Sequence, residues 1–253
     1  MEEDSFRRVA EFYSGAARFP LADIAPGDTL VCGSDARYPG VGGSVLYVAS
    51  YYGNRCVVST QHELVSEMQR TADTMTPSQL MANETRQQLV EICYRRLGED
   101  VVCYRYSGVK LYCDRSTYLP IADENVRRIT RTNAGEAMTC LLDDGIPTDV
   151  DYLLGDDAAF AYYFDDRPVA FAGTHPVGDM SDRIGNVMVG THRDHRGRGY
   201  GKAVVSATTG SLLSKGRVAV YGTSEDNVAS QKTALSVGYQ MFADVFEVRF
   251  ANA

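Results

Sequence analysis

No C-x-x-C pair, no long apolar run and no excess of basic charge occurs in this 253-residue chain. Each absence removes a class of function. The six cysteines, Cys32, Cys56, Cys93, Cys103, Cys113 and Cys140, are scattered. Their even number fits disulfides, but a cytosolic chain of this size more often keeps its thiols reduced and buried. No stretch reaches the roughly 20 apolar residues of a membrane span. The opening "MEEDSFRRVAEFY" is charged and has no signal-peptide core. A cytoplasmic protein without membrane partners is the expectation. Basic residues number 25 against 33 acidic ones, a formal net charge of −8. Duplex nucleic acid, which needs a broad basic face, is therefore an unexpected partner. A cationic or amine substrate is mildly favoured. With 44% apolar residues the chain can bury a sizeable core.

The first half reads as α+β and carries no chemical motif. "GGSVLYVASYYGNRCVVST" predicts two strands joined at Gly53-Asn54. "TPSQLMANETRQQLVEICYRRLGED" predicts one helix, capped by Thr76, begun by Pro77 and stopped by Gly98. "DVVCYRYSGVKLYCD" predicts a second hairpin turning at Ser107-Gly108. The lone His62 reads as structural or surface. "STYLPIADEN" reads as a linker, which divides the chain into an N-terminal α+β domain over 1–120, of unknown role, and a second domain over 121–253. In that second half the order is strand, helix, hairpin, strand, turn, helix, strand, helix, strand. Its first helix, "TNAGEAMTCLLDDGIP", has a capping box in Asn133 and Glu136 and stops at Gly145.

The turn in that order is "THRDHRGRGYGK", residues 191–202. From His192 to Lys202 it holds three arginines, one lysine and one aspartate, a local balance of +3 in an acidic chain. The unpaired N–H groups and dipole of a helix start suit an anion, and glycines at 197, 199 and 201 let a phosphate approach them. Arg196 and Arg198 add charge-assisted hydrogen bonds. A P-loop is excluded because Ala203 follows Lys202, and a G-x-G-x-x-G fingerprint does not close. What remains is R-x-x-G-x-G, a pyrophosphate cradle, or a plain helix-start turn with incidental arginines.

With "NVASQKTALSVGY" in place, the stretch from about Val126 to Phe250 resembles the GNAT family of N-acetyltransferases. That second motif supplies Asn227, Ser230, Gly238 and Tyr239 at the family's spacing. The resemblance implies a mixed, mostly antiparallel central sheet flanked by helices, an acyltransferase fold with a further α+β domain before it. It implies acetyl-CoA as acyl donor, no metal, and transfer of the acetyl group to the amine of a small molecule. In this reading the backbone of Val189 and Thr191 holds the pantetheine arm. Gly197, Arg198, Gly199, Tyr200 and Gly201, with Arg196, hold the pyrophosphate, and Asn227 and Ser230 face the arm.

Two positions depart from the family. Ala234 stands where a leaving-group tyrosine is usual, and Gly185, Asn186 and Met188 stand where a strand carboxylate often serves as base. Tyr239 and Tyr221 are the candidate acids; His175, Asp182 and Asp179 are the candidate bases. His192 and His195 go with the cofactor turn. The aspartates of "DYLLGDDAAFAYYFDD" read as turn and cap residues rather than metal ligands. Two alternatives stay open: an acyl carrier protein as donor, or, because of the departures, a module that senses acyl-CoA without turnover.

Overall fold

The computed structural model describes residues 3–15, 24–33, 44–51, 54–98, 102–135, 154 and 158–250. The chain packs into two compact units that interleave in sequence. Ala10–Lys110, Ser224–Asp226 and Met241–Ala253 make one; Met1–Val9, Leu111–Thr223 and Asn227–Gln240 make the other. Among the described residues, no helix is long and apolar enough to cross a membrane.

Helix α1 (Glu3–Gly15) is divided between the two units at Val9 and Ala10, and the first unit continues with strands β1 (Thr29–Gly33), β2 (Ser44–Tyr51) and β3 (Arg55–Thr60). Strands β2 and β3 form the expected hairpin, in register Leu46↔Thr60 to Tyr51↔Arg55, and Asn54 supplies the positive φ of 58° that its tight turn demands. β1 adds in parallel to β3. Helix α2 (Val65–Ala72) follows. The single helix expected from Thr76 to Gly98 is two: α3 (Pro77–Leu80) and α4 (Asn83–Leu97). Both predicted ends hold, since Thr76 and Gln79 close a capping box and Gly98 ends α4 at φ 91°. The break falls at Ala82, whose extended ψ of 145° stops the first run, so Leu80 and Leu89 enter the same core from separate helices.

The hairpin expected at Ser107-Gly108 is absent. Residues Val102–Cys113 are one continuous strand, β4. A two-residue hairpin turn needs positive φ, and neither residue has it. The Ser107 carbonyl instead accepts the Glu225 N–H at 3.0 Å. The last strand, β10 (Gln240–Phe250), pairs antiparallel with β2 and places Phe246 and Val248 beside Val48 and Leu46 in the core. The strand order in this unit is β1-β3-β2-β10-β4.

Cys56 and Cys93 sit in the same core, and burial pushes both thiols up to about 12; Cys113 is raised likewise. All three are free, as expected for buried reduced thiols, whereas the side chains of Cys103 and Cys140 lie outside the described residues. A thiol reagent at pH 8 should leave these three unmodified in the native protein and label them on unfolding, as peptide mass spectrometry would read out.

The second unit orders its strands β9-β8-β7-β6-β5. These are β5 (Val126–Arg128), β6 (Phe160–Phe164), β7 (Arg167–His175), β8 (Ile184–Thr191) and β9 (Val218–Ser224). The β6–β7 turn is the predicted Asp165-Asp166, both at positive φ. Helices α5 (Tyr200–Ser214) and α6 (Val228–Ser236) complete the predicted order. The helix expected from Asn133 lies beyond Gly135 outside the described residues. Asn133 itself turns back, accepting the Thr130 N–H at 2.6 Å and donating to the Arg128 carbonyl at 3.0 Å.

The expected linker is a strap packed on α5 and α6. The Tyr118 hydroxyl donates to the Ser206 carbonyl at 2.9 Å, the Ile121 N–H to Ser206 Oγ at 2.8 Å, and the Leu119 N–H to the Val237 carbonyl at 2.9 Å. Two glycines make room for it. A side chain on Gly210 would meet the Tyr118 hydroxyl at 2.7 Å, and one on Gly238 would overlap the Thr117 carbonyl. Proline and polar residues at 116–125 suggested a linker, but the glycines that admit the strap lie about 90 to 120 residues further on.

Candidate functional site

Strands β8 and β9 are parallel neighbours for only part of their length. Their register runs from Ile184↔Val218 to Val187↔Tyr221 and ends there, while β8 continues to Thr191 and β9 to Ser224. Beyond Val187, β8 stays paired with β7 alone, through Thr191↔Ala170. The sheet therefore opens as a V with its apex at Val187 and Tyr221, leaving one edge of β8 available to an extended ligand.

The basic turn lies at the open end of the V. A short 3-10 turn, Arg193–His195, follows β8; the His192 N–H bonds the Val169 carbonyl at 2.9 Å, and Nδ1 of His192 accepts the Asp194 N–H. Gly197 and Gly199 have φ of 76° and 88°, and Gly199 is the left-handed residue that caps α5. Both are glycine because of backbone conformation. Gly201 is small for another reason: a Cβ there would stand 3.1 Å from Thr191 Oγ1 and 3.8 Å from Val189, so the first turn of α5 lies close on β8. Arg196 pins the turn to the strand, its Nε donating to the Thr191 carbonyl at 3.1 Å.

A cleft of about 790 Å³ runs from this turn along β8 and α6. Val189, Thr191, Arg196, Gly197, Gly199, Tyr200, Gly201, Asn227 and Ser230 line it; Arg198 does not, and its side chain is exposed. Lys202, Lys232, Thr233 and Ser236 also line it. The α6 residues among them went unread in the sequence, although Ala229, Lys232, Thr233 and Ser236 recur at helical spacing. Among the described residues, three cationic side chains and no carboxylate line the cleft, the reverse of the chain's overall balance. Asn227 caps α6, its Oδ1 accepting the Ser230 N–H at 3.1 Å, and lines the cleft as well. Left-handed glycines, helix-start N–H groups, three cations and an unpaired strand edge fit a pyrophosphate with an extended amide-bearing arm.

The candidate catalytic residues separate. Tyr239 is fully buried, and its hydroxyl lies 2.8 Å from Thr209 Oγ1 within the α5 packing. It does not line the cleft, which corrects its assignment as acid. Asp182 sits in the turn before β8 with its side chain 76% exposed, 3.6 Å from Arg183 Nε, and Asp179 is exposed in the Gly178–Met180 turn. Solvation fits both better than proton transfer. His175 is different. It pairs with Asn186, one residue from the apex, and is partly buried. Burial lowers its pKa below the ordinary 6.5. Directly opposed residues share a face, so His175 and Asn186 project from the face opposite to Val187 and Tyr221. Tyr221 is 2% exposed, and its hydroxyl lies 2.7 Å from Ser230 Oγ. Among the described residues, no three His, Cys, Asp or Glu side chains gather into a metal-binding group.

A mixed sheet opened at a parallel pair, with a basic glycine turn at its mouth, is the layout of an acyltransferase fold. Residues 130–239 match the model of the acetyltransferase (GNAT) family, and the chain carries a domain of that family there. The family uses acetyl-CoA. No curated protein matches the sequence. An acetyltransferase of the GNAT family from Colwellia psychrerythraea has a similar structure, with a TM-score of 0.50 and 16% identity over 62% of this chain and 61% of its own. The likeness thus spans about three fifths of the Colwellia chain. A GCN5-related N-acetyltransferase-like protein from Streptococcus suis is similar over 98% of this chain and 100% of its own, at 17% identity and a TM-score of 0.46. The yncA protein of Salmonella typhimurium, solved with its cofactor acetyl-CoA, is similar over 49% of this chain and 92% of its own, at 16% identity and a TM-score of 0.40. At such identities the likeness is one of fold.

Proposed function

We propose that the protein transfers an acetyl or related acyl group from coenzyme A to the amine of a small molecule, by direct attack of the amine on the thioester. The observation that carries this is the V between β8 and β9, which ends at Val187↔Tyr221 and has the basic turn at its mouth. Backbone N–H groups of the 197–201 turn and the Arg196 side chain take the pyrophosphate. The free edge of β8 at Val189 and Thr191 takes the amide arm, with Asn227 opposite. The bound thioester supplies the electrophilic acyl carbon; the chain's residues orient it and manage protons.

His175 is the base in this reading, placed on the face of β8 from which an amine reaches the apex. Burial lowers its pKa and so favours the neutral imidazole, the form that accepts a proton. The same shift makes a stability prediction. A histidine with a depressed folded pKa contributes stability that is complete above pH 6.5 and is lost as pH falls through the folded value. Urea unfolding between pH 7.5 and 5 should show this loss in the wild type and a shallower one in His175→Gln.

Coenzyme A at a hundredfold excess over its dissociation constant should raise the melting temperature by about 5–10 °C. Acetyl-CoA with a panel of amines should then release thiol. Stabilisation without thiol release on any amine supports instead an acyl-CoA sensor, the reading that Ala234 favours. No stabilisation at all sinks both.

A further inference from the structure

Resting on that reading, we infer that the Ser230 hydroxyl, aimed by the buried hydroxyl of Tyr221, donates the hydrogen bond that receives the sulfur as the thiol departs. Tyr221 occupies the last position at which β9 pairs with β8, at the apex of the V. From Thr191 back to Val187 is four residues, about 13 Å of strand. An arm held at the mouth and lying along β8 therefore brings its far end to Tyr221. Across that space stands α6, whose Ser230 lines the cleft and lies 2.7 Å, oxygen to oxygen, from the phenol.

The pair has a defined direction. Tyr221 is 2% exposed, and burial raises its pKa above the usual 10, so it keeps its proton. A buried phenol O–H without an acceptor is costly, which makes Tyr221 the donor and Ser230 Oγ the acceptor. A serine hydroxyl has one hydrogen, and with its oxygen occupied by Tyr221 that hydrogen turns away from the phenol toward the cleft. The family's tyrosine position does not do this work here, because Ala234 is fully buried and ends in a methyl group. Tyr239, the other nearby phenol, points to Thr209.

The step balances without proton transfer from Ser230. The amine lone pair forms the C–N bond, the C–S bond breaks, and its electron pair goes to sulfur. The ammonium proton leaves through the base on the opposite face. Ser230 keeps its proton and stabilises the new thiolate by a charge-assisted hydrogen bond. Tyr221 acts through Ser230 and is a positioning residue.

The test needs no acceptor substrate. The ultraviolet absorbance of the thiolate of bound coenzyme A is followed against pH, with the desulfo analogue as blank. It is measured on the wild type and on Ser230→Ala, Ser230→Thr and Tyr221→Phe, each saturated with ligand. The bound thiol should ionise about one pH unit or more lower in the wild type than in Ser230→Ala. Tyr221→Phe should lose part of that shift, and Ser230→Thr, which keeps the hydroxyl, should retain it. Equal thiol pKa values in the wild type and Ser230→Ala, with ligand bound to both, would overturn the inference and leave the proposed function standing. A wild type that binds no coenzyme A would overturn the function on which it rests.

Discussion

A Gly238→Ala protein is expected to lose about 3–5 kcal/mol of stability in urea unfolding, a large loss for one methyl group. Two costs combine. Gly238 has φ of 97°, a conformation that costs an L-residue about 1–2 kcal/mol. The new methyl would also overlap the Thr117 carbonyl and lie 2.9 Å from the Leu119 nitrogen. Because those neighbours are backbone, the strap must lift. It then gives up the Leu119-to-Val237 hydrogen bond and strains the seat of Tyr118 on Ser206. Gly216→Ala separates the two costs. Gly216 follows the end of α5, also at positive φ, 78°, but nothing lies within 4 Å of the added methyl. It should lose only about 1–2 kcal/mol. Equal losses at the two positions would show that the strap contributes nothing. Gly238 also terminates α6, through its N–H bond to the Leu235 carbonyl and that of Tyr239 to Ala234. Since α6 carries Asn227 and Ser230, coenzyme A should bind more weakly to Gly238→Ala as well.

That glycine shows why the fold was only partly legible. Local signals were read correctly wherever a few neighbouring residues decide the outcome. Asn54, Asp165 and Asp166 each mark a tight turn, Thr76 with Pro77 marks a helix start, and Gly98 marks a helix end. Long-range pairing overrode local chemistry elsewhere. Ser107-Gly108 looks like a turn, yet its backbone is committed to the long strand β4, with a further bond from Glu225. "STYLPIADEN" looks like a connection, yet Ser206 and Val237 hold it down. No window of a dozen residues contains both partners of such contacts.

The site divides the same way. The turn at 191–202 and the Asn227 motif carry their meaning in short spacing, and of the cofactor-binding residues they indicated, Thr191, Arg196, Gly197, Gly199, Tyr200, Gly201, Asn227 and Ser230 line one cleft while Arg198 does not. The reason assigned to the glycines needs revision. Gly197 and Gly199 are fixed by left-handed backbone and Gly201 by packing on Thr191, so phosphate access is a consequence of the turn's shape. The catalytic side chains were the least legible. Tyr239 and Tyr221 look equivalent in sequence, and only the packing turns one hydroxyl to Thr209 and the other to Ser230. His175 gains its case from register alone, through its pairing with Asn186 beside the apex.

Arg196→Ala should weaken coenzyme A binding roughly 10- to 150-fold, equivalent to the 1.5–3 kcal/mol of a hydrogen bond to a charged group. The side chain has two tasks at once. Its Nε anchors the turn to the Thr191 carbonyl, and its remaining N–H groups carry charge into a cleft that Lys202 and Lys232 also line. Lysine offers a point charge but not a fork, so Arg196→Lys should recover only part of the loss. Arg198, exposed and outside the cleft, should matter less; Arg198→Ala is expected to change affinity by under threefold. The comparison also decides between donors. A carrier-protein thioester presents one phosphate and no nucleotide, so its binding depends less on Arg196. Titration calorimetry with coenzyme A and with free 4′-phosphopantetheine reads this directly. If Arg196→Ala binds both as the wild type does, the turn is a structural helix start and the pyrophosphate assignment fails. A large loss for coenzyme A alone assigns the turn to the nucleotide end of the ligand, and favours coenzyme A over a carrier protein as the thioester that the cleft holds.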